Sequence, residues 1–279
     1  MNGSPTVSVV VPCYNHAEYL NESVASVVAQ TFQNWECIIV DDGSTDDTES
    51  VARQLSQEDT RIKYLHKTNG GLADARNKGI EAAKGEFILP LDADDKISSN
   101  YMEAALQVLM ETPGVKLVYS KARYFGVLNR EWELEPYSFE KLLCGNMIFC
   151  SSFFRKTDWA KAGGYDVNMK YGWEDWDFLI GLLKDGGGVV QLPEFHFFYR
   201  IRNASMVRSM DEWKRRQLFQ VLSQKHLDVY ARYHCIAQIM WEHSRLKKEN
   251  LALKNKLNSL QQQPLRRLMQ LVRKILRIN

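Results

Sequence analysis

Three carboxylates lie within four positions of the sequence, at Asp92, Asp94 and Asp95, directly after the apolar run of residues 87–91. Carboxylates this close repel one another, so a cation must balance them or water must surround them. Oxygen ligands at the end of a strand suit Mg2+ or Mn2+, which usually keep several waters and also bind substrate phosphates. Taken alone, the stretch is explained as well by a solvated turn or by the start of a helix, and both interpretations stay open at this point.

Three further polar stretches contain residue types that recognise nucleotides. In "VPCYN", Tyr14 can stack on a base or pack against a sugar, and Asn15 can hold a turn. In "VDDGSTDDT", Asp41 and Asp42 can accept hydrogen bonds from a base N–H group or from ribose hydroxyls. In "NGGLADARNKG", the glycines allow close backbone approach, and Arg76 offers a planar fork for a phosphate. A turn or a solvated helix face explains each of these stretches when it is considered in isolation.

The surrounding sequence predicts how these stretches come together. Apolar runs at residues 7–12, 35–44, 61–67 and 86–91 are typical of buried strands, and helical spacing follows at residues 18–31, 46–57 and 72–85. Strands that alternate with helices predict a mostly parallel sheet with right-handed crossovers. Ligands bind at the carboxyl ends of the strands in such sheets. Because all four polar stretches follow or end predicted strands, we expect them at one edge of the sheet.

Beyond residue 212 the composition becomes helical and charged, which predicts a C-terminal extension over residues 213–279. A seven-residue repeat in it contains Leu246, Asn250, Leu253, Leu257 and Leu260. This spacing is typical of a short coiled coil in which the polar position fixes the register, and it favours a homo-oligomer. A single helix that packs on the rest of the chain is an equally simple interpretation. Pro264 ends the repeat.

The last residues, 265–279, predict a basic amphipathic helix. Its apolar face contains Leu265, Leu268, Met269, Val272, Ile275 and Leu276, and its five basic residues have no acid among them. A helix of this kind can lie on an anionic membrane surface. The alternatives are a solvated helix and a helix docked in an oligomer.

Composition argues against several classes of protein. The formal net charge of +2 gives no electrostatic basis for a dedicated nucleic-acid binder. The five cysteines show no metal-ligand spacing and are expected as reduced thiols of a cytosolic protein. No signal peptide is recognisable, and no apolar run reaches the roughly 18 residues that a membrane span needs. We therefore expect a cytoplasmic protein that is peripheral at the inner face of the membrane.

In their order and spacing, "VSVVVPCYN", "VDDGSTDDT", "GLADARNKG" and "LDADD" resemble the family 2 glycosyltransferases, which have the GT-A fold. The stretch "AGGYDVNMKYGWEDWDF", at residues 162–178, is similar to the acidic motif of that family. The resemblance implies an α/β, Rossmann-like GT-A domain over residues 5–212, with a mixed, mostly parallel sheet flanked by helices. Residues 5–110 would form its nucleotide-sugar half and residues 111–212 its acceptor half.

The resemblance also implies roles for individual residues of the donor site. The nucleotide-sugar site would contain Pro12, Tyr14, Asn15, Asp41, Arg76, Asp92 and Ala93. Asp92 and Asp94 match the Asp-x-Asp of the family, so they would hold Mn2+ or Mg2+, with Asp94 the more direct ligand. Residues 199–205 are similar to the closing loop of the family. Arg202 in that loop stands where related sequences often have His, and it can pair with the diphosphate.

The acidic motif would supply the base of the reaction. By the resemblance, Asp175 is the general base and Glu174 lies beside it. Trp173 and Trp176 flank these acids, and they either stack on sugar rings or pack in the core. His196 is expected to be structural.

The implied activity is transfer of a sugar from a nucleotide-diphosphate sugar, most simply a UDP-sugar, to a hydroxyl of a glycan or lipid-linked glycan. A divalent metal offsets the charge of the leaving diphosphate, and one base with in-line attack inverts the anomeric centre. The sequence lacks the Gln-x-x-Arg-Trp pattern of processive members, which predicts non-processive transfer.

Two other functions are weighed against this one. Nucleotidyl transfer onto a sugar phosphate needs a Gly-rich, basic loop after the first strand, which "PCYNHAEYL" does not provide. A non-catalytic scaffold with a relic GT-A domain is the second alternative, and the intact acids at both sites argue against it.

Overall fold

The first half of the chain alternates strands and helices, as the sequence predicts. Its elements are β1 (Val7–Cys13), α1 (Ala17–Val28), β2 (Trp35–Asp41), α2 (Thr48–Glu58), β3 (Ile62–His66), α3 (Leu72–Ala82) and β4 (Phe87–Pro90). Every residue of β1, β2 and β4 is buried. Burial on both faces is expected for parallel strands that helices cover on both sides.

The elements that follow are more varied. They are β5 (Lys96–Ile97), α4 (Tyr101–Glu111), β6 (Val115–Gly126), β7 (Arg130–Trp132), α5 (Phe139–Cys144), β8 (Phe153–Arg155), α6 (Lys156–Ala162), α7 (Glu174–Leu183), β9 (Gly188–Ile201), α8 (Glu212–Lys225) and α9 (Leu227–Tyr233). A further helix covers residues 245–257.

The computed structural model describes residues 4–202, 210–233 and 245–257. The chain divides into two compact units, Met1–His226 and Leu227–Asn279. Leu260 of the predicted heptad repeat and the predicted amphipathic segment at residues 265–279 lie outside the described residues. None of the helices in the described ranges is long and apolar enough to cross a bilayer.

Among the described residues, nine strands form one mixed sheet in the order β3-β2-β1-β4-β8-β6-β9-β5, and β7 pairs with β6 at the side of this path. The pairs β1 with β2, β1 with β4, and β2 with β3 are parallel. Strand β8 is antiparallel to both β4 and β6 and joins the two halves of the sheet, while β6 and β9 are parallel. The carboxyl ends of β1, β2 and β4 therefore lie at one edge, where the polar stretches were expected.

Helix α3 is shorter than predicted because it ends at Ala82 rather than at Gly85. Gly85 leaves the helix and donates its backbone N–H to Ser8 Oγ at 2.8 Å. Gly79 lies so close to the sheet that a Cβ there would clash with Val10 Cγ1. A larger residue at position 79 would overpack this contact, so the glycine sets how closely α3 packs on the sheet.

Helix α8 belongs to the first unit because the end of this helix binds α7. Asp177 of α7 is fully buried, and it accepts a hydrogen bond from Lys225 Nζ at 2.6 Å. His226 Nε2 lies 2.8 Å from the other oxygen of Asp177. A buried carboxylate needs partners of this kind. The first unit therefore runs to His226, beyond the domain boundary expected at residue 212.

The cysteines within the described ranges, at Cys13, Cys37, Cys144 and Cys150, form no disulfide with one another.

Candidate active site

The turn after β2 is built around Asp41, which is 1% exposed. Its carboxylate accepts hydrogen bonds from Ser44 N at 2.9 Å and from Tyr64 Oη at 2.8 Å, and His66 Nδ1 lies 3.4 Å away. Burial raises the pKa of Asp41, but these hydrogen bonds outweigh burial and hold the pKa below its ordinary value. Asp41 is therefore a fixed, ionised acceptor at the carboxyl end of its strand.

Asn15, which follows β1, holds the same turn. Its backbone φ of +54° lies in the left-handed region, which Asn tolerates better than most residues. Its side-chain oxygen accepts from Thr45 N at 2.7 Å, and its own N–H donates to Ser44 Oγ at 3.0 Å. The predicted turn role of Asn15 is confirmed. Beside it, Tyr14 is 49% exposed, while Pro12 is buried within β1.

Asp42 anchors the next loop, a role that the sequence analysis did not assign. Its carboxylate accepts hydrogen bonds from Gly70 N at 2.9 Å and Gly71 N at 2.8 Å, and it forms an ion pair with Lys67 Nζ. Gly71 has φ +89°, a conformation that favours glycine. Gly70 and Gly71, directly ahead of α3, thus provide the backbone N–H groups through which Asp42 holds this loop.

The three acids after β4 have different surroundings. Asp92 Oδ1 accepts a hydrogen bond from Arg76 Nη2 at 2.7 Å. Asp94 Oδ2 lies 2.8 Å from Arg202 Nε, next to the end of β9. Asp95 Oδ1 accepts from the backbone of β9 at 2.8 Å, whereas its buried Oδ2 has no hydrogen-bond partner among the described residues. Arginines from two elements therefore contact an acidic loop that is not simply solvated.

The acids of this loop repel one another, as their spacing predicts. Burial first, and then the charge of Asp92, raise the pKa of Asp94, while Arg202 opposes this shift. Burial and the charges of Asp94 and Asp92 raise the pKa of Asp95 well above its ordinary value. Additional positive charge at the loop would relieve this repulsion.

Arg76 connects the acidic loop to the second acidic motif. Its side chain is 1% exposed. Nη2 donates to Asp92, and Nη1 donates to Glu174 Oε1 at the start of α7. The guanidinium carbon lies 5.5 Å from the centroid of the Tyr165 ring. The two terminal nitrogens of the Arg76 guanidinium, which was predicted to bind a phosphate, thus both bind carboxylates. Direct contact of Arg76 with a nucleotide stays a prediction.

Asp175, the predicted base, is held by neighbouring amides. Its Oδ2 accepts a hydrogen bond from Asn146 Nδ2 at 3.1 Å, and its Oδ1 accepts from Trp176 N at 2.7 Å. Burial raises the pKa of Asp175, although Arg76 opposes the shift. Burial also raises the pKa of Glu174 to about 7, again against the effect of Arg76. A raised pKa suits a carboxylate that must take up a proton.

A small cavity lies beside Asp175 of the second acidic motif. Phe149, Cys150 and Asp175 are among its lining residues, and it has about 10 Å³ of room for the centre of a water molecule. Cys150 Sγ lies 3.6 Å from Asp92 Oδ2. Burial, and then the charge of Asp92, raise the pKa of Cys150 well above its ordinary value, so the group stays a thiol.

The aromatic residues beside the base have separate roles. Trp176 is 3% exposed and donates its indole N–H to a carbonyl of α5 at 2.6 Å, so it packs in the core. Trp173 precedes α7 with φ +65°, and its ring contacts Phe219 edge to face at 4.8 Å. His196 is 2% exposed and lies 2.6 Å from Ser98 Oγ through its Nδ1, as a structural histidine would.

Several groups of the site have no recognisable signal in the sequence. Asn146 and Cys150 follow α5, in a region without periodicity, and each contacts one acidic motif. Only the three-dimensional structure identifies them, because their partners are far away along the chain: Asp175 for Asn146 and Asp92 for Cys150.

The predicted metal ligands in the loop after β4 are carboxylate oxygens. Within the described ranges no group of three or more His, Cys, Asp or Glu side chains is arranged to hold a metal ion. Asp92 and Asp94, the predicted metal ligands, would supply carboxylate oxygens to only part of a coordination sphere. This arrangement fits Mg2+ or Mn2+, which leave positions to water and substrate oxygens, and it does not fit a structural zinc site.

Two solved structures have a fold similar to that of this chain. S. aureus TarS 1-349, in a crystal structure with UDP-GlcNAc, matches with a TM-score of 0.66 at 20% identity, covering 80% of this chain and 66% of that chain. The mannosyltransferase PcManGT from Pyrobaculum calidifontis, in complex with GDP-Man and Mn2+, matches with a TM-score of 0.58 at 18% identity, covering 88% and 81%. The fold is therefore the GT-A fold.

The sequence comparisons identify the family. The family model described as Glycosyl transferase family 2 matches residues 8–166. Glycosyltransferase GlyG of Streptococcus pneumoniae is 36% identical over 163 residues, which are 54% of this chain and 54% of GlyG. The chain thus spans about half the length of that relative. Since the family match covers more than half of the chain, the protein belongs to glycosyl transferase family 2.

Replacement of Glu174 by Gln is expected to change how stability depends on pH. The folded-state pKa of Glu174 is about 7, above the ordinary value of 4.5. Between these values the folded protein holds a proton that the unfolded chain has released, so the free energy of unfolding falls as the pH rises through this window. Gln does not ionise, and the wild-type protein should lose stability relative to Glu174→Gln as the pH rises.

Urea unfolding of both proteins at pH 5 and pH 8 measures this effect, which is expected to be on the order of 1–3 kcal/mol. Glu140→Gln, at an exposed position in the first turn of α5, is the control and should show no such trend. An equal difference between wild type and Glu174→Gln at both pH values would contradict the raised pKa.

Proposed function

We propose that the protein transfers a sugar from a nucleotide-diphosphate sugar to a hydroxyl of a glycan or lipid-linked glycan, with a divalent metal and with inversion. The observation that carries the proposal is the double contact of Arg76, with Asp92 at the carboxyl end of β4 and with Glu174 at the start of α7. One motif has the ligands that a metal and diphosphate need, and the other has a base. Arg76 holds them close enough to act on one sugar.

The nucleotide is proposed to bind over the loops after β1 and β2. Asp41 is ionised and already accepts hydrogen bonds, and a carboxylate has lone pairs left for a base N–H group. Tyr14 is exposed beside this turn and available for stacking, while Pro12 and Asn15 shape the same edge. UDP is the first candidate. The complexes of TarS with UDP-GlcNAc and of PcManGT with GDP-Man support a nucleotide sugar and leave GDP as an alternative to UDP.

Mn2+ or Mg2+ is proposed to bind at Asp94 and Asp92, and the buried Ala93 between them is proposed as part of the nucleotide-sugar site. The donor set is oxygen, which both ions prefer. An added cation would lower the raised pKa of Asp94. It would also offset the negative charge near the buried Asp95 oxygen that has no hydrogen-bond partner among the described residues. When bound, the metal supplies positive charge that offsets the negative charge of the leaving diphosphate.

Asp175 is proposed as the general base. It takes the proton of the acceptor hydroxyl while that oxygen bonds to the anomeric carbon and the bond from this carbon to the diphosphate breaks. Attack opposite the leaving group inverts the centre. Asn146 orients one oxygen of Asp175, and Glu174 stays paired with Arg76 beside it.

The two halves of the domain are proposed to divide the substrates. Residues 5–110 bind the nucleotide sugar, and residues 111–212, which include Asp175, bind the acceptor. The acceptor is proposed to be a single glycan chain end, extended without processive movement.

The second unit is proposed to form a coiled-coil homo-oligomer and to contact a membrane surface. In the helix at residues 245–257, the heptad positions Leu246, Leu253 and Leu257 are 49%, 63% and 56% exposed. An exposed seam at this spacing is what a second helix would cover. The membrane proposal rests on the sequence of residues 265–279 alone and would put the enzyme at the inner, cytoplasmic face.

Thermal unfolding with UDP, GDP and dTDP, each with and without Mn2+, tests the donor site. A ligand that binds only the folded protein stabilises it by mass action, by about 2.7 kcal/mol at one hundred times its Kd. We expect a metal-dependent rise in Tm with one of the nucleotides, and Asp94→Asn should abolish this rise. Asp185→Asn, an exposed acid after α7, is the matched control. If no nucleotide shifts the Tm of the wild-type protein, the donor-site proposal is wrong.

Asp175→Asn tests the base. The amide keeps the shape of the side chain but takes up no proton, so kcat for sugar transfer should fall by roughly 10²–10⁴. The nucleotide-dependent Tm shift should be unchanged, which separates loss of catalysis from loss of donor binding. Transfer to a panel of alkyl glycosides, read as nucleotide release, measures the rate. Transfer at the wild-type rate in Asp175→Asn would exclude this residue as the base.

Shortened chains test the second unit. A chain that ends at residue 226 retains the first unit, and a chain that ends at residue 262 lacks only the basic segment. We expect the full chain and the 262 form to be oligomers by sedimentation equilibrium and the 226 form to be monomeric. Only the full chain should float with vesicles that contain phosphatidylglycerol. The same oligomeric state in all three forms would contradict the coiled coil, and flotation of the 262 form would contradict the membrane segment.

A further inference from the structure

Four aromatic rings lie together on the strands of the proposed acceptor half. They are Tyr124 of β6, Trp132 of β7, Tyr199 of β9, and Phe149, which precedes β8; we call them the aromatic platform. Phe149 is 5% exposed, whereas the other three are only partly buried. The platform therefore combines a buried ring with three rings that solvent can reach.

The strand register brings these rings to one face of the sheet. Tyr124 is paired with Tyr199 of β9, and Trp132 is paired with Ala122, two residues before Tyr124. Since side chains alternate along a strand, Ala122 and Tyr124 share a face, and their partners share it with them. Centroids of the Tyr124 and Trp132 rings are 5.1 Å apart with an interplanar angle of 18°. Trp132 lies 5.5 Å from Tyr199 and 6.0 Å from Phe149.

The platform borders both acidic motifs. Phe149 lines the same small cavity as Asp175, and the next residue, Cys150, contacts Asp92. Burial raises the pKa of Tyr199, and the charges of Asp95 and then Asp92 raise it further, so this phenol also lies near the acidic loop. A ligand on the platform would therefore lie next to the base and to the diphosphate site at once.

We propose that the aromatic platform binds the acceptor, and that the acceptor unit is a pyranose whose apolar C–H face stacks on Trp132. This proposal rests on the proposed glycosyl transfer and names the substrate class of its acceptor site. Aromatic faces carry partial negative charge and large apolar area, which match the polarised C–H groups of a pyranose. The hydroxyls of Tyr124 and Tyr199 can donate to or accept from the sugar hydroxyls.

Core packing alone does not account for Trp132. It ends a strand of three residues that pairs only with β6 among the described residues, at the side of the main sheet. Residues 131 and 133 on either side are exposed acids. Trp132 packs on the buried Phe149 but stays partly exposed, and aromatic and polar groups that converge next to reactive residues are typical of ligand sites.

A second aromatic surface provides the comparison. Trp213 and Phe219 of α8 are 58% and 50% exposed, and the ring of Trp213 contacts Tyr171 at 5.9 Å. This surface is more exposed than the platform. Phe219 contacts Trp173, which directly precedes Glu174, but Trp173 does not line the cavity beside Asp175. The continuity with Asp175 therefore favours the platform.

The test uses the full chain, Mn2+ and a nucleotide sugar of the nucleotide that raises the Tm. The acceptor probes are octyl β-glucoside, octyl β-galactoside and octyl β-N-acetylglucosaminide, with octanol as the probe that lacks a sugar. We expect at least one glycoside to accelerate nucleotide release in the wild-type protein. Trp132→Ala should raise the KM for that glycoside by roughly tenfold or more, because truncation of a contacting Trp is typically costly. Trp132→Phe should retain part of the affinity.

The nucleotide-dependent Tm shift should be unchanged in Trp132→Ala, which shows that the variant is folded and the donor site intact. Trp213→Ala, the matched control, should have the wild-type KM. An unchanged KM in Trp132→Ala, a larger effect of Trp213→Ala, or equal acceleration by octanol would overturn the proposal. So would the absence of acceleration by every glycoside in a wild-type protein that binds nucleotide. If the wild-type protein binds no nucleotide at all, the proposed function itself fails, and the platform proposal falls with it.

Discussion

The buried guanidinium of Arg76 is the constraint on which the rest of the site depends. A charge that is 1% exposed is stable only when paired, and the removal of one partner of a buried ion pair typically costs about 3–5 kcal/mol. Arg76 meets this requirement with two carboxylates, Asp92 and Glu174, that belong to different parts of the fold. To keep Arg76 paired, the fold must hold α3, the loop after β4 and the start of α7 in contact.

Other contacts hold these three parts of the fold in place. The close approach of Gly79 to Val10 and the bond of Gly85 to Ser8 hold α3 against the sheet. The buried Asp177, bound by Lys225 and His226, holds α7 from its other side. Arginines at the end of β9 contact the acidic loop, so the loop keeps its conformation while its acids repel one another. The proposed donor-site residues and the proposed base are therefore positioned before any substrate arrives, which is what electrostatic catalysis requires.

Local patterns predicted much of this arrangement. The alternation of strands and helices up to β4 is correct, because each of these elements is marked by its own periodicity and by polar turns. Asn15 was expected to hold a turn, and Asp41 was expected at a strand end, since both follow directly from their place after apolar runs. The end of α3 was misplaced by three residues, because the contact of Gly85 with Ser8 stops the helix and no local signal reveals that contact.

Residue types and spacings predicted the alternation of strands and helices in the first half of the chain, the edge at which the polar stretches meet, and the two acidic motifs. These features depend on residue type and on spacing over short distances, and such information is local. The tertiary structure alone decided the partners of Arg76, the support of Asp175 by Asn146, the contact of Cys150 with Asp92, and the assembly of the aromatic platform. Arg76 and Glu174 are 98 positions apart, and Asn146 and Asp175 are 29 apart. Contacts over such separations arise from how strands and helices pack. The residues next to a charged side chain in the sequence do not reveal whether that charge is buried or which distant group pairs with it.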